Sequence, residues 1–247
     1  MRLTVLGGCG AWPAAGQACS GYLLEQDGFR LLVDPGYAIV PRLLELIDAA
    51  EVDAVLVSHG HPDHCADLHP LLRARVLTEE PAPALAVHAL PGAVDRVLAL
   101  DQPRTLAGAS RVVAFDAGDR FEVGPFQVRT WKLPHWVPNA GLRLEAAGRV
   151  LAYTGDTGPS PAIVELARGA DLLLAEASFP EQVPADVAGF LSSARQAGEH
   201  AAAAGAGRLL LTHLLPGTAP GQAEDAARAG FPGTVGVARG GVVADLG

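Results

Sequence analysis

Short apolar runs alternate with turn residues along the first third of the chain. "RLTVLG", "GYLLE" and "FRLLVD" are rich in Val and Leu and bounded by Gly, Pro or Asp, which predicts strands. "VPRLLELIDAA" carries apolar residues at helical spacing and predicts a helix over 40–50, crossing to a buried strand, "AVLVS". The middle reads as a strand at "ALAVHAL", a helix near "GAVDRVLAL", and strands at "RVVAF", "RFEV" and "FQVRTWKL". "GLRLEAAGRVLAYTGD" predicts a hairpin turning near Ala147 and Gly148. A helix at "PAIVELARGA" ends on Gly169, and "DLLLAEA" is a buried strand. In "SSARQAGEHAAAAGAG", Ser193 and Gln196 have capping-box spacing and Gly205 marks the stop. The strand "RLLLTH", a helix around "QAEDAARAG" and a last strand near "GGVVADL" complete an α/β pattern. No linker, low-complexity tract or fixed-period repeat interrupts it, so 1–247 is expected to form one domain.

Composition narrows the function. Hydrophobic residues make up 49% and charged residues 18%, a globular balance. The net charge of -9 disfavours long nucleic acid, whose phosphates call for an excess of Lys and Arg. Cys9, Cys19 and Cys65 are odd in number and form no CxxC pair, so no disulfide framework is expected, and a reducing cytoplasm fits. No N-terminal h-region and no run of roughly 18 apolar residues is present, so neither secretion nor a membrane span is expected.

The chemistry gathers in "LVSHGHPDHCAD", directly after the strand "AVLV". Buried imidazoles and carboxylates this close need partners or a shared ion. On an extended segment His59 and His61 face one side, Asp63 continues the alternation and His64 steps across. That pattern points to two adjacent metal ions served by one turning loop. Imidazole and carboxylate suit zinc first, with manganese or iron acceptable to the same donors. Four residues cannot close two sites, so further donors are required at later strand ends. His135 follows "VRTWKLP", Asp156 follows "VLAYTG", and His213 follows "RLLLT". Trp131 and Trp136 flank His135 and are candidates to wall the site and stack a base. His69, His88 and Cys65 fit no part of the pattern and read as structural.

With these residues in hand, the chain resembles the metallo-β-lactamase fold superfamily of metal-dependent hydrolases. The HxHxDH motif stands as His59, His61, Asp63 and His64, and the later donors stand in the family's order. "LLVDPG", "YTGDT", "DLLLAEASF" and "LLLTH" are similar to the tRNase Z-like branch. The resemblance implies a four-layer αβ/βα sandwich and two divalent metal ions. His59, His61 and His135 would bind the first, Asp63, His64 and His213 the second, and Asp156 would bridge them. It also implies hydrolysis of a phosphodiester by a hydroxide shared between the ions, with Asp63 orienting the water. Asp34, in "LLVDPG", would support the ligands by hydrogen bonding. The expected substrate is a small phosphodiester such as a cyclic nucleotide, or RNA 3′ ends. Dimers are common in the branch, so a homodimer is an expectation. Two readings compete: a thioester, lactone or ester hydrolase, and a metal-binding protein with weakened turnover.

Two departures from the branch matter. Where it carries a histidine that works with the Glu of "EASF", this chain has Phe190, so Glu176 lacks its usual partner. No basic arm for gripping tRNA is found either.

Overall fold

The computed structural model describes residues 1–102 and 104–247. The N-terminal half contributes β1 (Arg2–Gly7), β2 (Gly21–Gln26), β3 (Phe29–Val33), α1 (Ile39–Leu44), β4 (Ala54–Val57), α2 (Pro62–Cys65), α3 (Leu68–Val76), β5 (Leu85–Ala89), α4 (Asp95–Leu98) and β6 (Ser110–Ala114). The remainder adds β7 (Arg120–Val123), β8 (Phe126–Leu133), β9 (Asn139–Ala146), β10 (Arg149–Tyr153), α5 (Pro161–Ala167), β11 (Leu172–Glu176), α6 (Ala194–Ala204), β12 (Arg208–Thr212), α7 (Pro220–Arg228), β13 (Thr234–Val237) and β14 (Val243–Asp245). They form two seven-stranded mixed sheets, ordered β14-β1-β2-β3-β4-β5-β6 and β13-β12-β11-β10-β9-β8-β7.

Neighbouring residues on one strand serve different cores, which is why the central strands read as unbroken apolar runs. Leu24, Leu31 and Leu56 join Phe126, Leu142, Tyr153 and Leu174 between the sheets. Leu23, Leu32 and Val55 instead pack outward with Ile39 and Leu43 of α1 and Leu68, Leu71 and Leu72 of α3. On the far side Leu173, Leu209 and Leu211 pack against α5, α6 and α7. The layers are therefore helix, sheet, sheet, helix: the αβ/βα sandwich that the resemblance implied.

The caps behave as their chemistry requires. Ser193 Oγ accepts the Gln196 N–H at 3.2 Å, and Gln196 Oε1 accepts the Ser193 N–H at 2.9 Å. Gly205 closes α6 at φ 65°, and the hairpin turns on Ala147 and Gly148, at φ 50° and 72°.

Three elements differ from expectation. The helix predicted over 40–50 stops at Leu44, and the chain restarts as a 3₁₀ turn, Ala49–Glu51, where the Glu51 carboxylate accepts the Asp48 N–H at 2.8 Å and the Glu51 N–H bonds the Asp48 carbonyl at 3.0 Å. α3 and β13 were not predicted. β13 is short and carries a glycine, and it pairs in parallel with β12. Among the described residues no helix is long and apolar enough to cross a membrane. Cys9, Cys19 and Cys65 are all free and buried.

Candidate metal centre

Each donor sits just past a strand end, on a loop the sheets hold still. His59 follows β4, His135 follows β8, Asp156 follows β10 and His213 follows β12. Pro62 breaks the expected alternation: His61 is extended, whereas Asp63 and His64 lie in the one-turn helix α2. The turn swings Asp63 and His64 away from His61 and toward His213.

All seven predicted side chains meet in two adjoining groups that share Asp156: His59, His61, His135 and Asp156, and Asp63, His64, Asp156 and His213. In the first, His61 Nδ1 lies 3.2 Å from His59 Nε2 and 3.0 Å from His135 Nε2. In the second, Asp63 Oδ2 lies 3.1 Å from His213 Nε2 and 3.5 Å from His64 Nε2. Asp156 spans both. Its Oδ1 is 3.1 Å from His64 Nε2, and its Oδ2 is 3.1 Å from His213 Nε2 and 3.7 Å from His59 Nε2.

The outward ring nitrogens are tied down, which aims the inward ones. His59 Nδ1 meets Ser58 Oγ at 3.0 Å, His64 Nδ1 meets Asp34 Oδ2 at 2.8 Å, and His213 Nδ1 meets Ser178 Oγ at 3.0 Å. His135 Nδ1 donates to the Phe190 carbonyl at 3.0 Å, so its Nε2 carries a bare lone pair toward His61. His64 Nε2 and Asp156 Oδ1 are buried without a hydrogen-bond partner although they are close, because they are misaligned for a hydrogen bond. Such orphaned groups cost about 1–3 kcal/mol each. A divalent cation among these N and O donors satisfies them, so the residue set fits one.

The electrostatics of the two groups differ. Burial, helped by His64, holds His59 well below its ordinary value, and burial also lowers His61 and His135. These three are neutral imidazoles, ready to ligate. Burial also opposes charge on His64 and His213, but Asp156 and Asp63 outweigh it: His64 stands well above its usual value and His213 is raised to about 10. Burial alone would raise Asp156, yet His213 and His64 hold it well below the carboxylate range. A cation entering the second group displaces protons.

Asp34 is fully buried and takes up φ 50°. It accepts the Ser58 N–H (2.7 Å) and O–H (2.6 Å), the Tyr153 O–H (2.8 Å) and the His64 Nδ1–H (2.8 Å). With its oxygens filled, it orients His64 from behind, the supporting role expected from "LLVDPG". An Asp34→Asn change turns an amide N–H₂ toward these donors. We expect a 10- to 100-fold loss of metal affinity, measured by competition with a chromophoric chelator; unchanged affinity would exclude the role.

Other supports carried no sequence signal. Asn139 Nδ2 donates to the carbonyls of Thr154 and Asp156 at 3.2 and 2.8 Å. Gly155, at φ 59°, is required there: a Cβ would stand 2.6 Å from Asn139 Oδ1. The Ala11 N–H holds Asp63 Oδ2 at 2.9 Å. Trp131 is not at the site: Arg129 stacks over its ring at 4.3 Å, and it packs toward the α5 side of the sheet. His69 pairs with Asp101, His88 stacks on Phe121, and the Cys65 thiol points to the His61 carbonyl.

This architecture has clear relatives. Residues 29–214 match the model of the Beta-lactamase superfamily domain. The chain is 33% identical over 244 residues to a probable metallo-hydrolase, YhfI, of Bacillus subtilis, covering 98% of this chain and 99% of that protein. The crystal structure of YhfI superposes with a TM-score of 0.90 at 31% identity, covering 99% of both chains. A ribonuclease Z of Mycobacterium bovis is 29% identical over 251 residues, covering 91% of this chain and 89% of it. Human tRNase Z, short form, shares the fold at a TM-score of 0.80 and 22% identity over the full length of both. The chain belongs to the metallo-β-lactamase fold superfamily, in its tRNase Z-like branch, and is a metal-dependent hydrolase.

Proposed function

We propose that residues 1–247 work as one dinuclear phosphodiesterase domain acting on a small phosphodiester, such as a cyclic nucleotide, or on RNA 3′ ends. His59, His61 and His135 would hold one ion, Asp63, His64 and His213 the other, and Asp156 both. The observation that carries this reading is the pair of donor groups sharing the Asp156 carboxylate. The class of bond is supported by the mycobacterial ribonuclease Z, since ribonucleases act on phosphodiesters. Bound divalent ions supply Lewis acidity, lowering the pKa of water toward about 7 and offsetting charge on phosphoryl oxygens.

The chain's own groups do the positioning. Asp63, whose Oδ2 accepts the Ala11 N–H, would orient the attacking water. Phe190 steers His135 through its backbone carbonyl, but its ring has no proton for the leaving oxygen. General acid help is worth about 100- to 10,000-fold, so activated leaving groups are favoured here. The test is hydrolysis of bis(4-nitrophenyl) phosphate after chelation and after restoring Zn²⁺ or Mn²⁺. Turnover that is lost and regained with metal is expected. No turnover with two ions bound would move the reading to an ester or thioester.

A further inference from the structure

The exposed aromatic residues adjoin, in sequence or in contact, residues that touch the donor groups. Among the described residues, Trp12, Tyr37, Trp136 and Phe190 are the exposed aromatics. Trp12 adjoins Ala11, which holds Asp63, and Trp136 adjoins His135. Tyr37 adjoins Gly36, which packs so tightly on the Asp63 carbonyl that no Cβ would fit. The Phe190 carbonyl fixes His135. Apolar rings that pack together in water mark a ligand site more often than rings exposed singly, and Trp136 and Phe190 are in contact.

Two of them form a ledge. The Trp136 and Phe190 rings stack with centroids 5.1 Å apart and planes at 28°. Trp136 is 49% exposed and Phe190 36% exposed, so ring surface remains open to solvent. The ledge starts one ring from the metal centre, since the Trp136 centroid is 5.0 Å from that of His135. Its base is anchored at the Phe190 end: the Phe190 N–H donates to the Val187 carbonyl at 2.9 Å, and the Ser192 N–H donates to Glu176 at 3.3 Å. A side chain that cannot give a proton thus occupies a position suited to stacking.

We propose that Trp136 and Phe190 form a stacking platform for the base of a nucleotide phosphodiester, making the preferred substrate nucleosidic; this rests on the phosphodiesterase reading above. A base one sugar from the scissile phosphorus reaches a ledge that abuts a donor of the first group. Every base has a π-face, so the platform favours bases in general over other substituents and does not choose strongly among them.

The test uses the zinc-loaded protein and three probes in calorimetry: adenosine 5′-monophosphate, ribose 5-phosphate and hexyl phosphate. All carry a phosphate monoester, and only the first carries a base. Binding of the adenosine compound is expected to be roughly tenfold tighter than that of either other probe. That advantage should fall toward one in Trp136→Ala and in Phe190→Leu, which keeps bulk without a π-face, and should persist in Trp136→Phe. Zinc content and circular dichroism identify variants that fold. Equal affinities in the wild type, an advantage that survives both disruptive changes, or hexyl phosphate binding as tightly as the nucleotide would overturn the platform. Wild-type turnover of bis(4-nitrophenyl) phosphate is read in parallel. Turnover with no base preference sinks the platform alone, whereas no turnover sinks the phosphodiesterase reading and the substrate role of the platform with it.

Discussion

Asp156→Asn is expected to lower phosphodiester hydrolysis at least about 1,000-fold while the fold survives. The reason is where the carboxylate stands. Asp156 is 3% exposed, and its two oxygens face His64 on one side and His213 and His59 on the other. Among the described residues no other carboxylate belongs to both donor groups. Asparagine keeps the shape, and the backbone stays pinned by Asn139, but the charge that the proposed pair of cations would require is gone. Losing about 4 kcal/mol of transition-state stabilisation corresponds to that factor, and metal ions supply several kcal/mol of it. Metal analysis should show less than two ions per chain. Full metal content with activity within tenfold of wild type would refute the assignment.

The metal-free form of the same variant should show a stability deficit with a defined pH window. His213, raised to about 10 chiefly by Asp156 against the effect of burial, contributes stability that is fully present below its ordinary value of 6.5 and lost as pH rises through about 10. Asp156, held well below its ordinary value of 3.8 by His213 and His64, contributes stability present above that value. The melting-temperature difference between wild type and variant is therefore expected to be largest from about pH 4 to 6.5 and to shrink toward pH 10. Breaking such a buried pair costs roughly 3–5 kcal/mol.

The sequence exposed the donors better than their supports. His59, His61, Asp63 and His64 crowd one loop, and His135, Asp156 and His213 each end an apolar strand, so residue type and strand position sufficed to choose them. What the period-2 pattern could not foresee was Pro62, which starts a helical turn and divides the motif between the two groups. The layer order came with the family resemblance, whereas the apolar runs showed only that strands such as those of Leu23-Leu24 and Leu31-Leu32 are buried on both faces. α1 ended early and the chain restarts at Ala49, where Glu51 accepts the Asp48 N–H, a local competition that apolar spacing does not reveal.

The supports were hidden for a different reason. Asn139, Ser178 and the Ala11 N–H act through contacts between residues far apart in the chain: Asn139 reaches the Asp156 carbonyl, Ser178 reaches His213, and Ala11 reaches Asp63. An asparagine, a serine and a backbone amide carry no pattern that marks such partners. The aromatic ledge was half legible. Trp136 adjoins a donor, but Phe190 lies 55 residues from His135 and appeared only as a missing histidine.

Glu176→Gln is expected to lower kcat by 10- to 100-fold without changing the shape of the pH–rate profile. Glu176 is 1% exposed at the end of β11. Its Oε2 accepts the Thr157 N–H at 2.6 Å, and its Oε1 accepts the Ser178 O–H at 2.7 Å and the Ser192 N–H at 3.3 Å. Thr157 follows Asp156, Ser178 bonds His213, and Ser192 lies two residues after Phe190, which fixes His135. One carboxylate thus ties the loop that carries Asp156 to segments that hold His213 and His135. Burial, with Asp156 adding to it, raises Glu176 from 4.5 to about 8. In the metal-free protein the folded state then holds a proton that the unfolded chain releases, so stability falls as pH rises from about 4.5 to 8. In the metal-free protein above about pH 8, where the ionised carboxylate accepts from all three groups, the glutamine amide turns N–H₂ toward groups that donate, leaving a buried donor unmet at a cost of about 1–3 kcal/mol. The lower melting temperature and lower kcat should come with the wild-type response to leaving-group pKa. If Glu176 instead delivers the leaving-group proton, the variant loses the alkaline limb of the pH–rate profile and loses most activity on poor leaving groups. That pattern would reassign it from a positioning residue to the missing acid.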